Sequence, residues 1–274
     1  MEQTNGPAQP MRTHTVLLLL FVASGCAALI YEIVWFHLLR LVIGASALSL
    51  GIIVASYMGG MFLGSLFFAR VVPSSKNALR VYGFIEIGIG AFGIALPFLL
   101  PGVRAVYIGL FGHGAAGIAL RGVVAAIILL PPTALMGATL PAVARRYRGQ
   151  ASERSSLAEL YGANTLGAVA GCLWTGFSIL PNWDIWVASG IAAALNVGIG
   201  ITALRLSTRK EDEAPVAETE VKTISAGDAR VVYQVIALSG LTALGAQVVW
   251  TRLLALLFGG TIYTFAIILA IFLG

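Results

Sequence analysis

Long apolar runs separated by short polar gaps dominate this chain. A helix that crosses a bilayer needs about 20 mostly apolar residues, and eight runs are candidates for such helices. They cover residues 16–39, 47–69, 81–100, 122–144, 157–180, 185–204, 231–258 and 261–274. The last run is shorter than a span requires. The pattern therefore predicts an all-α integral membrane protein.

Two of these runs, and one shorter apolar segment between them, contain features that modify this picture. The run over residues 122–144 contains Pro131, Pro132 and Pro141, and we expect kinks because each proline removes a backbone donor. Residues 103–117 are apolar but short and broken by glycines, so we expect a re-entrant or interfacial segment there. The first run continues past Cys26 for too long to be a cleaved signal peptide, and it predicts an uncleaved helix.

Composition excludes an ordinary soluble domain, and the placement of the charges argues against nucleic-acid binding. The chain is 58% apolar and 11% charged, whereas soluble domains are about 45–50% apolar and about 25% charged. All but one of the 17 Lys and Arg residues lie outside the eight apolar runs, which indicates a topology signal and argues against a nucleic-acid partner. A cytoplasmic N-terminus places 13 of these 17 basic residues inside. We expect a multi-pass protein of a bacterial-type inner membrane with this orientation.

An internal repeat relates the two ends of the chain. Residues 24–59 align without gaps on residues 239–274, at an offset of 215. Fourteen positions are identical in the two copies: Ser24, Gly25, Ala28, Leu29, Val34, Trp35, Leu38, Leu39, Leu41, Gly44, Ile52, Ile53, Ala55 and Gly59. Six predicted helices separate the copies. Both copies are therefore predicted to run in the same direction through the membrane, as in the two halves of major facilitator transporters.

The repeat and one polar segment define the predicted domain organisation. We expect a cytoplasmic N-terminal tail at residues 1–15 and a six-helix, major-facilitator-like half at residues 16–205. A polar cytoplasmic linker should follow at residues 206–230, and the first two helices of a second half at residues 231–274. Because the last run stops inside an apolar helix, we expect the sequence to be the N-terminal part of a longer protein.

Two acidic residues, Glu32 and Glu86, lie deep inside apolar runs. Charge at this depth is costly, so such residues usually face a cavity or a partner. Two interpretations stay open for each: a cation or proton site, or a hydrogen-bonded acid that locks two helices together. In the repeat, Glu32 aligns with Gln247 and Tyr31 with Ala246. An acid in one copy only suits a single binding site, and it equally suits drift at a non-essential position.

Small and polar residues add further candidates. The spacings Gly60-x-x-x-Gly64 and Ala163-x-x-x-Gly167-x-x-x-Gly171 predict close helix contacts. Asn164 flanks the second of these faces and is placed to hydrogen-bond across it. The candidate charge or substrate site thus comprises Glu32, Glu86, Tyr31, Gln247 and Asn164.

Other chemistry is not indicated by the sequence. His37 and Arg40 are expected to reach the membrane interface, and Arg252 takes the repeat position of His37. The spacing of His, Cys and carboxylate residues suggests no metal site. The sequence has no nucleophile–base pair and no phosphate-binding glycine turn in a polar context, so we predict no catalytic or cofactor-binding residue in this chain.

Several motifs together resemble one family, the fused major-facilitator/spermidine-synthase-like proteins. The matching segments are Ser24-Gly25-x-x-Ala28-Leu29-x-Tyr31-Glu32-x-x-Trp35, Tyr82-Gly83-x-x-Glu86, Pro132-Thr133-x-Leu135-Met136-Gly137-Ala138-Thr139-Leu140-Pro141 and Leu160-Tyr161-Gly162-Ala163-Asn164-Thr165-Leu166-Gly167. The resemblance implies that a soluble domain similar to polyamine aminopropyltransferases follows residue 274. No catalytic residue of that domain lies in this chain. The segment from Gly64 to Arg70 also lacks the Asp of the usual major-facilitator signature.

Two functional hypotheses follow. In the first, the chain is the membrane portion of a spermidine-synthase-like fusion that transports or senses a small cationic or amine metabolite. In the second, it is a membrane anchor or scaffold, without transport, for a cytosolic aminopropyltransferase-like domain. The expected partners are the lipid bilayer, a small cationic metabolite, and a C-terminal synthase-like domain or second membrane half.

Overall fold

A computed structural model describes residues 8–44, 46–73, 77–110, 115–148, 150, 152–208 and 226–273. Within these ranges every regular element is helical. The helices are α1 (Ala8–Ile43), α2 (Ala47–Val71), α3 (Ala78–Leu110), α4 (Ala115–Tyr147), α5 (Glu153–Asn182), α6 (Ile185–Ser207), α7 (Ala226–Phe258) and α8 (Ile262–Leu273). All except α8 are long and apolar enough to cross a membrane. The prediction of a multi-pass, all-α membrane protein is therefore confirmed at this level.

Several helix ends differ from the prediction. The expected re-entrant segment at residues 103–117 is wrong as a separate element, because α3 continues to Leu110 and α4 begins at Ala115. Residues 111–114 of that segment lie outside the described residues. Helix α1 begins at Ala8, inside the predicted tail, and α7 begins at Ala226, inside the predicted linker. Hydropathy marks only the apolar part of a helix, whereas the hydrogen-bonded backbone continues into flanking polar residues.

Helices α4 and α5 contain local departures from regular geometry. Helix α4 continues through its three prolines, and the Thr133 hydroxyl donates to the Leu129 carbonyl at 2.7 Å in the turn that follows Pro132. The kinks expected at the prolines stay a prediction. Helix α5 contains a π-helical turn at Thr175–Ile179, where the Thr175 hydroxyl donates to the Gly171 carbonyl at 2.6 Å. Such a turn widens the helix locally.

Glycines determine how closely the helices approach in two pairs. In the α1–α5 pair, a Cβ atom at Gly25 would overlap the Asn164 carbonyl, and a Cβ atom at Gly167 would overlap the Val22 carbonyl. The α2–α4 pair has the same kind of contact, because a Cβ atom at Gly64 would overlap the Ala134 carbonyl. The close contacts predicted from both small-residue spacings are confirmed, since only glycine allows the backbones to approach this closely.

A third pair, α3–α6, is built in the same way. A Cβ atom at Gly83 would lie 2.9 Å from the Gly200 carbonyl oxygen, and a Cβ atom at Gly200 would lie 2.8 Å from the Gly83 carbonyl oxygen. Helix α1 contacts both α5 and α6, and α3 contacts α4. These contacts join the three pairs into one bundle.

Polar contacts tie the helices together at one end of this bundle. The Arg145 guanidinium donates to the Val72 and Pro73 carbonyls at 2.8 and 2.9 Å, so the end of α4 holds the segment after α2. The His14 ring is hydrogen-bonded to the Tyr147 hydroxyl at 2.9 Å and to the Glu159 carboxylate at 2.8 Å. The His14 contacts connect α1 to α4 and α5.

The two copies of the repeat form the same helix–turn–helix. Helix α1 ends at Ile43 and is followed by Gly44 at φ +93°, while α7 ends at Phe258 and is followed by Gly259 at φ +86°. Both glycines terminate their helix in the left-handed conformation that favours glycine. All of these positions correspond at the offset of 215.

The helix that follows is capped alike in the two copies. The Ser46 hydroxyl accepts from the Ser49 amide at 3.1 Å, and the Thr261 hydroxyl accepts from the Thr264 amide at 3.3 Å. These positions also correspond at the offset of 215. The repeated sequence thus forms repeated local structure. A parallel arrangement of two halves, and a major-facilitator-like six-helix order, stay predictions.

We expect Gly167→Ala to weaken the α1–α5 pair, because the added methyl group meets the Val22 carbonyl. Overpacking of this kind costs about 1–3 kcal/mol. The melting temperature of the protein in nanodiscs should fall by several degrees. The matched control is Gly162→Ala in the same helix, where a Cβ atom meets nothing within 4 Å. Equal melting temperatures for the two variants would contradict the assigned role of Gly167.

Candidate functional site

The Glu86 carboxylate is completely buried in the bundle and is held by side chains of two other helices. The Ser24 hydroxyl of α1 donates to Oε1 at 2.7 Å, and the Asn196 amide of α6 donates to Oε2 at 2.8 Å. Glu86 therefore links α1, α3 and α6. These two partners were not predicted from the sequence. The available signal was that Ser24 and Asn196 are polar residues within apolar runs.

Two further polar atoms lie buried around Glu86. The Tyr82 hydroxyl is close enough to Glu86 and Ser24 to interact electrostatically with both, yet it meets hydrogen-bond geometry with no described residue. The Tyr82 ring stacks on Phe21 at 5.5 Å between ring centroids. The side-chain oxygen of Asn196, Oδ1, likewise has no partner among the described residues. The Asn196 amide thus retains one free acceptor beside the carboxylate.

The surroundings of Glu32 are different from those of Glu86. Glu32 is half-buried, and in the described part of the chain its carboxylate makes no hydrogen bond or ion pair. It lies close enough to the Tyr57 hydroxyl of α2 and the Cys172 thiol of α5 for its charge to act on both. Both neighbours donate elsewhere: Tyr57 to the Ala28 carbonyl at 3.3 Å, and Cys172 to the Ala266 carbonyl at 3.1 Å. The Glu32 carboxylate is therefore left without a donor among the residues that the structure describes.

Two aromatic residues near Glu32 in the sequence of α1, Tyr31 and Trp35, form a layer of packed rings. The Tyr31 and Trp35 rings are buried and stack at 4.9 Å, and the Trp35 ring lies 6.5 Å from that of Tyr57. The Tyr31 ring fills the space over Gly93 of α3, where a Cβ atom would overlap it. The Tyr31 hydroxyl and the Trp35 indole nitrogen have no partners among the described residues.

The other two predicted candidates do not join either acid through a hydrogen bond. The Asn164 side chain donates to the Phe21 carbonyl at 3.3 Å across the α5–α1 contact, which is a packing role. Gln247 is buried on α7, and no hydrogen bond of its side chain is found within the described ranges. The five predicted residues therefore form no single cluster. Tyr31 lies close enough to Glu86 for the charge of that carboxylate to act on it, whereas Asn164 and Gln247 hydrogen-bond to neither acid.

No group of three or more His, Cys, Asp or Glu side chains placed to hold a metal occurs among the described residues. Comparisons of the chain with protein-family models, with characterised proteins and with solved structures found no match. The resemblance to the fused major-facilitator/spermidine-synthase-like proteins stays a prediction that rests on the sequence motifs. Any functional conclusion must come from the side chains themselves.

We expect Glu86→Ala to destabilise the protein strongly, because it leaves the Ser24 hydroxyl and the Asn196 amide buried without an acceptor. Each unpaired donor costs about 1–3 kcal/mol. The two donors together cost about 2–6 kcal/mol, so the melting temperature in nanodiscs should fall by at least about 4 °C, given the usual 2–4 °C per kcal/mol for a chain of about this size.

The matched variant is Glu86→Gln, which retains one acceptor oxygen. Its new amide group can donate to the free Oδ1 of Asn196 if that side chain flips, so its melting temperature should stay close to that of the wild type. A Glu86→Ala variant as stable as Glu86→Gln would show that Glu86 does not lock the three helices.

Proposed function

We propose that the chain binds a small cationic solute within the membrane and carries or senses it, with Glu32 as the charged group of the site. The observation that carries this proposal is the contrast between the two acids that lie deep in the spans. Glu86 accepts two hydrogen bonds, whereas Glu32 accepts none from any described residue. A carboxylate at membrane depth costs about 2.5–3.5 kcal/mol on insertion scales, and such residues mark ion or substrate pathways.

The neighbours of Glu32 favour a protonated amine as the solute. Its carboxylate supplies the negative charge, the Tyr57 hydroxyl of α2 lies close enough for that charge to act on it, and the Trp35 ring lies 6.5 Å from the Tyr57 ring. The faces of aromatic rings attract ammonium groups. A carboxylate next to aromatic rings is therefore suited to a small amine.

The location of Glu32 supports a coupling between solute binding at Glu32 and movement of the second repeat. The Cys172 thiol next to Glu32 donates to the Ala266 carbonyl of α8, and the Phe36 ring of α1 stacks on Phe265 of α8 at 4.2 Å. Displacement of α8 relative to α1 and α5 would alter both contacts. Rocking of repeated units about a shared site is a common route to alternating access.

Glu86 is assigned a structural role in this proposal. Its two donors already satisfy it, and it lies between α1, α3 and α6, away from α8. Of the two interpretations open for each acid, the geometry thus favours a cation site for Glu32 and a helix lock for Glu86.

The wider setting of the proposal rests on the sequence. The distribution of basic residues supports a bacterial-type inner membrane with a cytoplasmic N-terminus. The motifs described above support a spermidine-synthase-like domain beyond residue 274. A non-transporting anchor for that domain is the alternative, and it predicts that Glu32 is dispensable.

The direct test is binding and uptake of labelled methylammonium, putrescine and spermidine by the protein in nanodiscs and proteoliposomes. We expect at least one amine to bind, and Glu32→Gln to weaken its binding by about ten-fold or more, since the charge-assisted contact is lost. The melting temperature of Glu32→Gln should remain near that of the wild type, because Glu32 makes no hydrogen bond within the described structure.

Glu86→Gln is the matched control, since it removes the other deep charge and should bind amines within about two-fold of the wild type. If the wild type binds none of the three amines, or if Glu32→Gln binds them equally well, the proposal is wrong. The anchor alternative is then the better account of the chain.

A further inference from the structure

A cavity of about 180 Å³ lies between the two repeated hairpins, α1–α2 and α7–α8. Residues that correspond in the repeat line it from opposite sides. The pairs are Phe36 with Thr251, Arg40 with Ala255, Ser46 with Thr261, and Leu50 with Phe265. The cavity therefore lies between equivalent faces of the two copies. Ligand sites of repeat-built membrane proteins are commonly found at such an interface.

The charge of this cavity is positive. The Arg40 and Arg252 side chains both line it, and no carboxylate is present among its lining residues in the described part of the chain. Neither guanidinium forms an ion pair within the described ranges. The Arg40 guanidinium lies over the Phe36 ring at 5.5 Å from its centroid, and it donates no hydrogen bond to any residue in the described ranges. His37 lines an adjoining cavity together with Arg40.

Uncharged donors lie beside the two arginines. Thr251 is only 8% exposed and lines the cavity, yet its hydroxyl has no hydrogen-bond partner among the described residues. Ser46 and Thr261 bring the N-termini of α2 and α8 to the cavity wall. Helix N-termini favour negative charge.

We propose that this cavity binds a phosphate group, held by Arg40 and Arg252 with the Thr251 hydroxyl as an additional donor. Two guanidinium groups match the oxygens of a phosphate and supply the charge to balance it. The cavity is at the turn ends of the spanning helices, so the phosphate can belong to a lipid headgroup or to a free solute. The site is separate from the amine site proposed above, because Glu32 does not line it and its charge has the opposite sign.

The test measures the affinity of the whole chain for two probes. Inorganic phosphate is titrated by calorimetry into protein in an uncharged detergent. Phosphatidic acid is compared with phosphatidylcholine by native mass spectrometry of the protein–lipid adducts. We expect one or both phosphate probes to bind, and Arg40→Gln with Arg252→Gln to weaken that binding by at least ten-fold. Arg205→Gln is the control, since this exposed arginine of α6 does not line the cavity.

The outcomes distinguish the source of the phosphate. Binding of inorganic phosphate that the arginine variants lose indicates a free solute, and binding of phosphatidic acid alone indicates a lipid headgroup. The single variant Arg252→Gln alters an exposed side chain, so it provides a folded protein if the double variant is unstable. The proposal is overturned if neither probe binds, or if the arginine variants bind as well as Arg205→Gln does. Glu32→Gln should leave phosphate binding unchanged, so failure of one site does not imply failure of the other.

Discussion

The close approach of helix backbones at glycine positions is the constraint on which the rest of the structure depends. In lipid there is little hydrophobic drive between helices, so association relies on packing and interhelical hydrogen bonds. Glycines such as Gly25, Gly64 and Gly83 let three helix pairs meet backbone to backbone. The pairs α1–α5, α2–α4 and α3–α6 then combine into one bundle in which α1 contacts members of all three.

This arrangement gives the two deep acids different surroundings. Glu86 faces the interior of the bundle, where Ser24 and Asn196 supply its donors. Glu32 lies close to Tyr57 of α2 and Cys172 of α5, and both of these neighbours donate to backbone carbonyls instead. A buried acid that is satisfied stabilises the fold, whereas one that is unsatisfied is available to a ligand. Under the proposed function, the same residue type would serve two purposes, on α1 and on α3.

The two copies of the repeated hairpin determine where both proposed sites lie. The repeated turn, with its glycine at positive φ and its hydroxyl cap, positions α2 relative to α1 and α8 relative to α7 in the same local way. Sequence differences between the copies then create asymmetry. Glu32 is replaced by Gln247 at the equivalent position of the second copy, and Arg40 is replaced by Ala255. A negative group thus lies along α1, and a positive cavity lies between the turn ends of the two hairpins.

The sequence by itself determined the membrane class, most of the spanning segments, the repeat and the helix faces that pack through small residues. These properties depend on local hydropathy, periodicity and the steric freedom of glycine, all of which are readable along the chain. It left the roles of Glu32 and Glu86 open, because both appear as single acids in apolar runs. Only the tertiary structure distinguished their surroundings, with two donors at Glu86 and none at Glu32 among the described residues: Asn196 lies 110 positions from Glu86 along the chain, and a hydrogen bond over that separation exists only once α3 and α6 have packed.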